Sequence, residues 1–260
     1  MMDIEAYAEF CFGLRREVRV VDDVPEQFKG LAEATAYAIQ DKLVPKLLAL
    51  HGGRKIGYKI GCTSKGAQEL LNTTTPVYGQ MLSAWTHESP AWLSADQFTM
   101  MVIEPEFAFT LAADVSVGEY DGVGIRPFIA NIIPCIEIVH HRLADWSRFD
   151  APTLIADNAI HGAWIPGMVY ADWQALDLPT HEVKLYADEV LVSEGCGDVV
   201  LGSPLNAIAW IANTLQQYGH ALRAGEVVTT GVCMPVYRAN VGEKIRADFG
   251  VLGCVDVVFE

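Results

Sequence analysis

From Lys55 onward the chain breaks into short β-prone runs punctuated by glycine and proline, and this texture most limits what it can fold into. Candidate strands are Ile56–Ile60, Thr99–Leu111, Ile132–Val139, Val183–Ala187, Val190–Ser193, Val227–Thr230, Lys244–Phe249 and Cys254–Phe259. The Tyr186–Val190 stretch, with Asp188 inside it, reads as a hairpin turn. The first 50 or so residues are different: Phe28, Leu31, Ala32, Ala38, Ile39 and Leu43 recur at helical spacing, broken by Thr35, and Pro45 is expected to kink or end that helix. A further helix starts at Ser203 with Pro204 in its first turn. Leu205, Ile208, Ala209, Ala212 and Leu215 form its stripe, and Gly219 is placed to end it. The pattern predicts an α+β protein, with a helical part over 1–54 and a β-rich body over 55–260.

With 260 residues and 51% apolar composition, the chain can bury a substantial core. Its formal net charge of −15 repels nucleic acid and anionic lipid, so neither is expected as a partner. Cys11, Cys62, Cys135, Cys196, Cys233 and Cys254 are scattered without a C-x-x-C pair, which points to free thiols in a reducing compartment. MMDIEAYAEF lacks the basic start of a signal peptide, and the apolar run from Pro127 to Val139 is interrupted by Asn131, Pro134 and Glu137. These features lead to the expectation of a cytoplasmic protein with no membrane partner.

Two acidic features carry chemistry. In Ile103-Glu104-Pro105-Glu106-Phe107 the two glutamates stand two apart, so on a strand they share a face. Adjacent carboxylates repel unless a proton or cation lies between them. In Pro134-Cys135-Ile136-Glu137-Ile138-Val139 a lone acid sits in an apolar run and needs a lysine, an arginine or a metal. Separately, the first is more often a solvated strand face, and the second is about as often salt-bridged as metal-bound. Together they allow three oxygen ligands for a hard cation, Mg²⁺ or Mn²⁺.

In order, KIGYKIGCTSKGAQELL (55–71), PVYG (76–79), IEPEFAF (103–109), CIEIVHHRLADW (135–146), IADNAIHGAWIPG (155–167), VVLGSPLNAIAWIANTL (199–215) and FGVLGCVDVVF (249–259) cover the chain from about residue 55 to the end. This series resembles the 2-oxo-4-pentenoate hydratase and 4-oxalocrotonate decarboxylase family of the fumarylacetoacetate hydrolase superfamily. The resemblance implies a mixed β-sandwich roll for the body and a homo-oligomer. It implies Mg²⁺ or Mn²⁺ on Glu104, Glu106 and Glu137, and a small 2-oxo or 2-hydroxydienoic acid from aromatic meta-cleavage as substrate. It further implies Lys59 and Asp157 as groups that orient substrate or move protons, and Tyr78, Asn158, Thr230 and Gly231 as substrate contacts. Alone, Lys59 would read as a surface lysine and Asp157-Asn158 as an Asx turn.

Three departures bear on the reaction. Hydratases of the family read P-D-[FY]-G where this chain has Pro76-Val77-Tyr78-Gly79, and an aliphatic residue there leans toward the decarboxylase branch. The ADN turn continues Ala159-Ile160-His161-Gly162 in place of small serines, which makes His161 a candidate acid or base near neutral pH. Cys233 and Met234 replace small residues and point to a changed pocket wall. Hydration is the first expectation and decarboxylation the second. An acylpyruvase-type carbon–carbon hydrolase, a cysteine hydrolase on Cys62 or Cys233, and a non-catalytic 2-oxo-acid binder are weaker alternatives. No G-x-S-x-G elbow or G-x-G-x-x-G fingerprint is present.

Overall fold

The computed structural model describes residues 2–145 and 150–260; Met1 lies outside the described residues, as does Trp146, the last residue of CIEIVHHRLADW. Two helices open the chain where the spacing predicts one helical region. α1 spans Ile4–Arg16, and the carboxylate of its cap, Asp3, accepts from the Ala6 amide at 3.0 Å. α2 spans Glu33–His51 and buries Ala36, Tyr37, Ile39, Gln40, Leu43, Val44 and Leu47. Phe28 and Leu31 are buried but precede α2, and Ala32 is its exposed cap, so the helical stripe begins later than the spacing predicts. Pro45 does not end the helix. It lies on the exposed side, where the carbonyl four residues back, at exposed Asp41, can turn to water for the amide that proline lacks.

The strands are β1 (Lys55–Gly61), β2 (Val77–Leu82), β3 (Ala91–Leu93), β4 (Val102–Leu111), β5 (Ile129–Val139), β6 (His161–Pro166), β7 (Glu182–Ala187), β8 (Val190–Cys196), β9 (Val227–Val232), β10 (Tyr237–Arg238), β11 (Lys244–Asp248) and β12 (Cys254–Phe259). Beyond α1 and α2, the α-helices of the described residues are the short α3 (Lys65–Leu70) and α4 (Ala151–Ala156) and the longer α5 (Pro204–Gln217). Every expected strand forms. The sequence pattern does not announce β2, β3, β6 or β10: β3 and β10 are too short to show a period, and glycines interrupt β2 and β6. The turn between β7 and β8 is made by Asp188 and Glu189, both at positive φ.

Seven strands form one mixed sheet, ordered β2-β1-β9-β4-β5-β6 with β10 also on β4, and five form a second, ordered β3-β12-β11-β7-β8. β1 runs parallel to β9 and β3 parallel to β12; the other pairings are antiparallel. Gly57 is needed where β1 meets β9, since a Cβ there would lie 1.8 Å from the Val227 carbonyl oxygen.

Register decides what each face of the large sheet carries. On β4, Ile103, Phe107 and Phe109 join the main core, which also takes in residues of α1, α2, α5 and the second sheet. Phe107 meets Phe249 edge-on at 5.5 Å and His181 at 5.6 Å, which ties the two sheets together. Glu104, Glu106 and Ala108 take the opposite face, paired with Glu137, Cys135 and Ile133 on β5. Ala108, Ile133, Cys135, Met81 and Trp164 make a small second cluster there, and the acids stand beside it. Phe107→Ala should therefore destabilise the fold by about 3–5 kcal/mol in denaturant unfolding. A loss below about 1 kcal/mol would mean that the sheets do not depend on this contact.

Candidate active site

Glu104 and Glu137 are direct cross-strand partners, and Glu106 follows on the same face. Oxygens of the three carboxylates lie within 4.8 Å of one another. Glu106 and Glu137 are fully buried and Glu104 half-buried. Lys59 reaches them from β1, its Nζ 3.3 Å from Glu137 Oε2 and its side chain 3% exposed. His161, at the start of β6, places Nδ1 2.7 Å from Glu137 Oε1. The Gly231 amide donates to Glu106 Oε2 at 2.8 Å.

Burial pushes the Glu104 carboxyl up to about 7, opposed in part by Lys59. Burial and the charges of Glu137 and Glu104 push Glu106 well above the usual carboxylate range. Burial works the same way on Glu137, but Lys59 and His161 outweigh it and hold that carboxyl low. Burial likewise disfavours the Lys59 ammonium, yet the surrounding carboxylates hold it above the ordinary lysine range. Burial also lowers His161, so its imidazole is neutral and donates from Nδ1 to Glu137.

Ionised together, three carboxylates facing one ammonium would leave an excess of two negative charges in a dry place, and it is this excess that drives Glu104 and Glu106 toward their protonated forms when no cation is present. Glu106 Oε1 has no hydrogen-bond partner. An all-oxygen donor set with this charge fits a hard divalent cation.

Beside the trio opens a cavity of about 640 Å³, with Lys59 and Glu104 on its wall. Of the residues singled out in the sequence, Glu104, Glu106, Glu137, Lys59 and His161 come together here, and Gly231 joins through its amide. Four others face elsewhere. Tyr78 is in the core, stacked on Tyr37 at 4.1 Å, because strand alternation gives the cavity to Val77 instead. Thr230 donates its hydroxyl to the Phe107 carbonyl at 2.9 Å. Asn158 is buried, its amide bonded to the Gln80 backbone in both directions, 2.7 Å to N and 2.9 Å to O. Asp157 is held by Arg15, whose Nε lies 2.6 Å from Oδ1, and by Arg142 on Oδ2, away from the cavity. His161 also lies off the cavity wall, with its Nδ1 on Glu137.

The turn that carries these residues explains their directions. Asn158, Ala159 and Ile160 have φ of 51°, 46° and 56°, three non-glycine residues in a row in the left-handed region. This reversal sends Asp157 one way and His161 the other, and leaves Ala159 and Ile160 on the cavity wall. Arg15 fixes both ends of the turn, donating to the Asp157 carbonyl at 2.6 Å and the His161 carbonyl at 3.0 Å. Gly79 lets the turn approach β2, since a Cβ there would sit 2.5 Å from the Asn158 carbonyl oxygen. No sequence signal marks Arg15, which acts 142 residues away from Asp157. Arg142 lies within the motif CIEIVHHRLADW, and its position there is the one signal that could have found it.

The solved structure of 4-oxalocrotonate decarboxylase from Pseudomonas putida G7, complexed with magnesium and adipate, matches with a TM-score of 0.93 and 25% identity, covering 99% of this chain and 97% of that one. The chain has the mixed α/β fold of that enzyme, a fold shared with a putative fumarylacetoacetate hydrolase family protein from Yersinia pestis CO92 at a TM-score of 0.59 and 13% identity. The 2-keto-4-pentenoate hydratase 2 of Dechloromonas aromatica is 30% identical over 255 residues, 98% of this chain and 97% of that protein. The 2-hydroxyhexa-2,4-dienoate hydratase of Comamonas testosteroni is 29% identical over 261 residues, again 98% and 97%. The chain belongs to the 2-keto-4-pentenoate hydratase family. No protein-family model matches the sequence.

Two outcomes follow from the arrangement around the turn. Arg15→Met removes the donor to Asp157 Oδ1 and one donor each from the Asp157 and His161 carbonyls, of which the first keeps the Ile160 amide, and should cost on the order of 3–5 kcal/mol in unfolding free energy; a change within about 0.5 kcal/mol, roughly the scatter of surface substitutions, would contradict the clamp. Next to it, burial and the charge of Arg142 push His141 down to about 4 and His140 well below the ordinary imidazole range. Folded, these imidazoles bind fewer protons than unfolded, so their contribution is present above about pH 6.5 and is lost as pH falls toward 4. His141→Asn, which keeps an acceptor for the Leu143 amide, should flatten the decline of melting temperature between about pH 6.5 and 5. An unchanged slope would assign that decline to other groups.

Proposed function

We propose that the chain is a divalent-metal-dependent lyase. It acts on a small 2-hydroxydienoic or 2-oxo acid from aromatic meta-cleavage, adding water to the remote alkene as its hydratase relatives are named for doing. One observation carries this reading: the buried trio of Glu104, Glu106 and Glu137 beside Lys59, at the wall of a cavity. In this reading the trio holds Mg²⁺ or Mn²⁺, which when bound supplies positive charge to stabilise negative charge developing on the C2 oxygen of the substrate.

The chain's own groups do the rest. His161 and Lys59 hold the two oxygens of Glu137, and the Gly231 amide holds one oxygen of Glu106, so the carboxylates are set in place beforehand. The Lys59 ammonium, next to Glu104 on the wall, orients the substrate and gives a proton to the reacting carbon. The apolar side chains that make up most of the wall limit the water around the substrate.

Decarboxylation of a 4-oxalocrotonate-type acid is the second reading, and Val77 favours it. That residue lines the cavity and offers no carboxylate to direct water, whereas loss of CO₂ sends its bond electrons to the C2 oxygen without a base at that point. By the same resemblance, the two sheets are read as the superfamily's mixed β-sandwich roll, residues 1–54 as its helical part, and the working form as a cytoplasmic homo-oligomer.

Chelation should abolish activity, and Mg²⁺ or Mn²⁺ should restore it; full turnover by a metal-free preparation would sink the reading. Lys59→Met should lower turnover by about 10²–10⁴-fold. A near-normal rate would remove Lys59 from the reaction. Parallel assays on 2-hydroxypenta-2,4-dienoate and 4-oxalocrotonate, following dienoate absorbance and CO₂, separate hydration from decarboxylation.

A further inference from the structure

The cavity is far larger than the trio and Lys59 need. Cavities of ~300–1,000 Å³ enclose drug-sized molecules, and this one, at about 640 Å³, greatly exceeds a five-carbon acid. Away from Glu104 its wall is built from Leu70, Leu71, Val77, Ile160, Met234 and Val236. Leu70 and Val236 remain 44% and 48% exposed, apolar surface that nothing in the chain covers among the described residues.

Charge on the wall is as informative as its greasiness. Among the described lining residues Lys59 is the one lysine or arginine, and it already faces Glu137. The other charged groups there are the carboxylates Glu104 and Glu194, the latter exposed. His140 and His141 also line it, held neutral by burial beside Arg142. A second carboxylate on the ligand would lose hydration here and find no cation beyond Lys59, only the hydroxyls of Thr63 and Ser64.

We propose that the site selects 2-oxo and 2-hydroxydienoic acids whose remote end is a bulky apolar group, an alkyl chain of several carbons or an aryl ring, and discriminates against a second carboxylate at that end. This rests on the hydratase reading of the trio as the place that holds the 2-oxo acid head, since a 4-oxalocrotonate-type substrate carries the very second carboxylate that this wall disfavours. Short acids bind by the head alone; longer ones add burial of the tail against α3 and the 232–236 segment.

The test is calorimetric titration of the Mg²⁺-loaded protein with 2-oxobutanoate, 2-oxohexanoate, 2-oxooctanoate and 2-oxoadipate, alongside turnover of matching 2-hydroxydienoates. Kd should fall by about fourfold per added methylene. 2-Oxoadipate should bind more weakly than 2-oxohexanoate, and Leu70→Asn should flatten the dependence on chain length. A flat series, or tighter binding of 2-oxoadipate, overturns the proposal. Tightening with chain length but no turnover of any 2-hydroxydienoate upholds the apolar subsite and defeats the lyase reading. Failure of every 2-oxo acid to bind defeats both.

Discussion

Three carboxylates forced into one buried place set the terms for everything around them. The antiparallel register of β4 and β5 puts Glu104 opposite Glu137 and Glu106 beside them. The charges cannot separate by local relaxation, because the other faces of the same strands bury Ile103, Phe107, Ile136 and Ile138 in the main core. Hydrophobic burial thus holds like charges together, and the nearby polar groups are arranged to limit the damage. Lys59, the His161 imidazole and the Gly231 amide each take one carboxylate oxygen. One oxygen of Glu106 still lacks a partner, which is the imbalance that a divalent cation removes.

The helical start of the chain bears directly on this arrangement. Arg15, in the last turn of α1, reaches both ends of the left-handed turn over 158–160 and so sets where His161 begins β6. Gln40 of α2 donates to the Tyr78 and Ile155 carbonyls at 3.0 Å each, joining β2 to α4. Three consecutive residues at positive φ are costly on their own, and these contacts offset that cost. His161 therefore depends on a residue of the first helix, and Glu137 on His161.

The carboxylate trio is legible because two periodicities meet in the sequence: two-residue spacing puts Glu104 and Glu106 on one face, and an acid in an apolar run demands a partner at Glu137. Strand alternation also gives Lys59 its face. The same rule, applied to PVYG, assigns Val77 to the cavity and Tyr78 to the core. The family resemblance, which weighs a motif as a block, points to Tyr78 instead. The directions of Asp157, Asn158 and His161 are not legible in the sequence for a different reason. Proximity along the chain implies a shared direction only when the backbone is regular, and nothing in ADNAIH announces three left-handed residues. Arg15 is invisible because a clamp across 142 residues leaves no local pattern. Pro45 counts for less as a helix breaker than its residue type suggests, since its penalty is small where the freed carbonyl meets water.

If the carboxylate trio is a cation site held together against its own repulsion, removing charge should help the metal-free fold and destroy its response to metal. Thermal unfolding of the wild type and of Glu104→Gln/Glu106→Gln, each with and without Mn²⁺ at neutral pH, measures this directly. The account predicts that the double variant melts above the metal-free wild type, that Mn²⁺ raises the wild-type melting temperature, and that it leaves the variant unmoved. A wild type indifferent to Mn²⁺, or a variant that melts below the metal-free wild type, would contradict it.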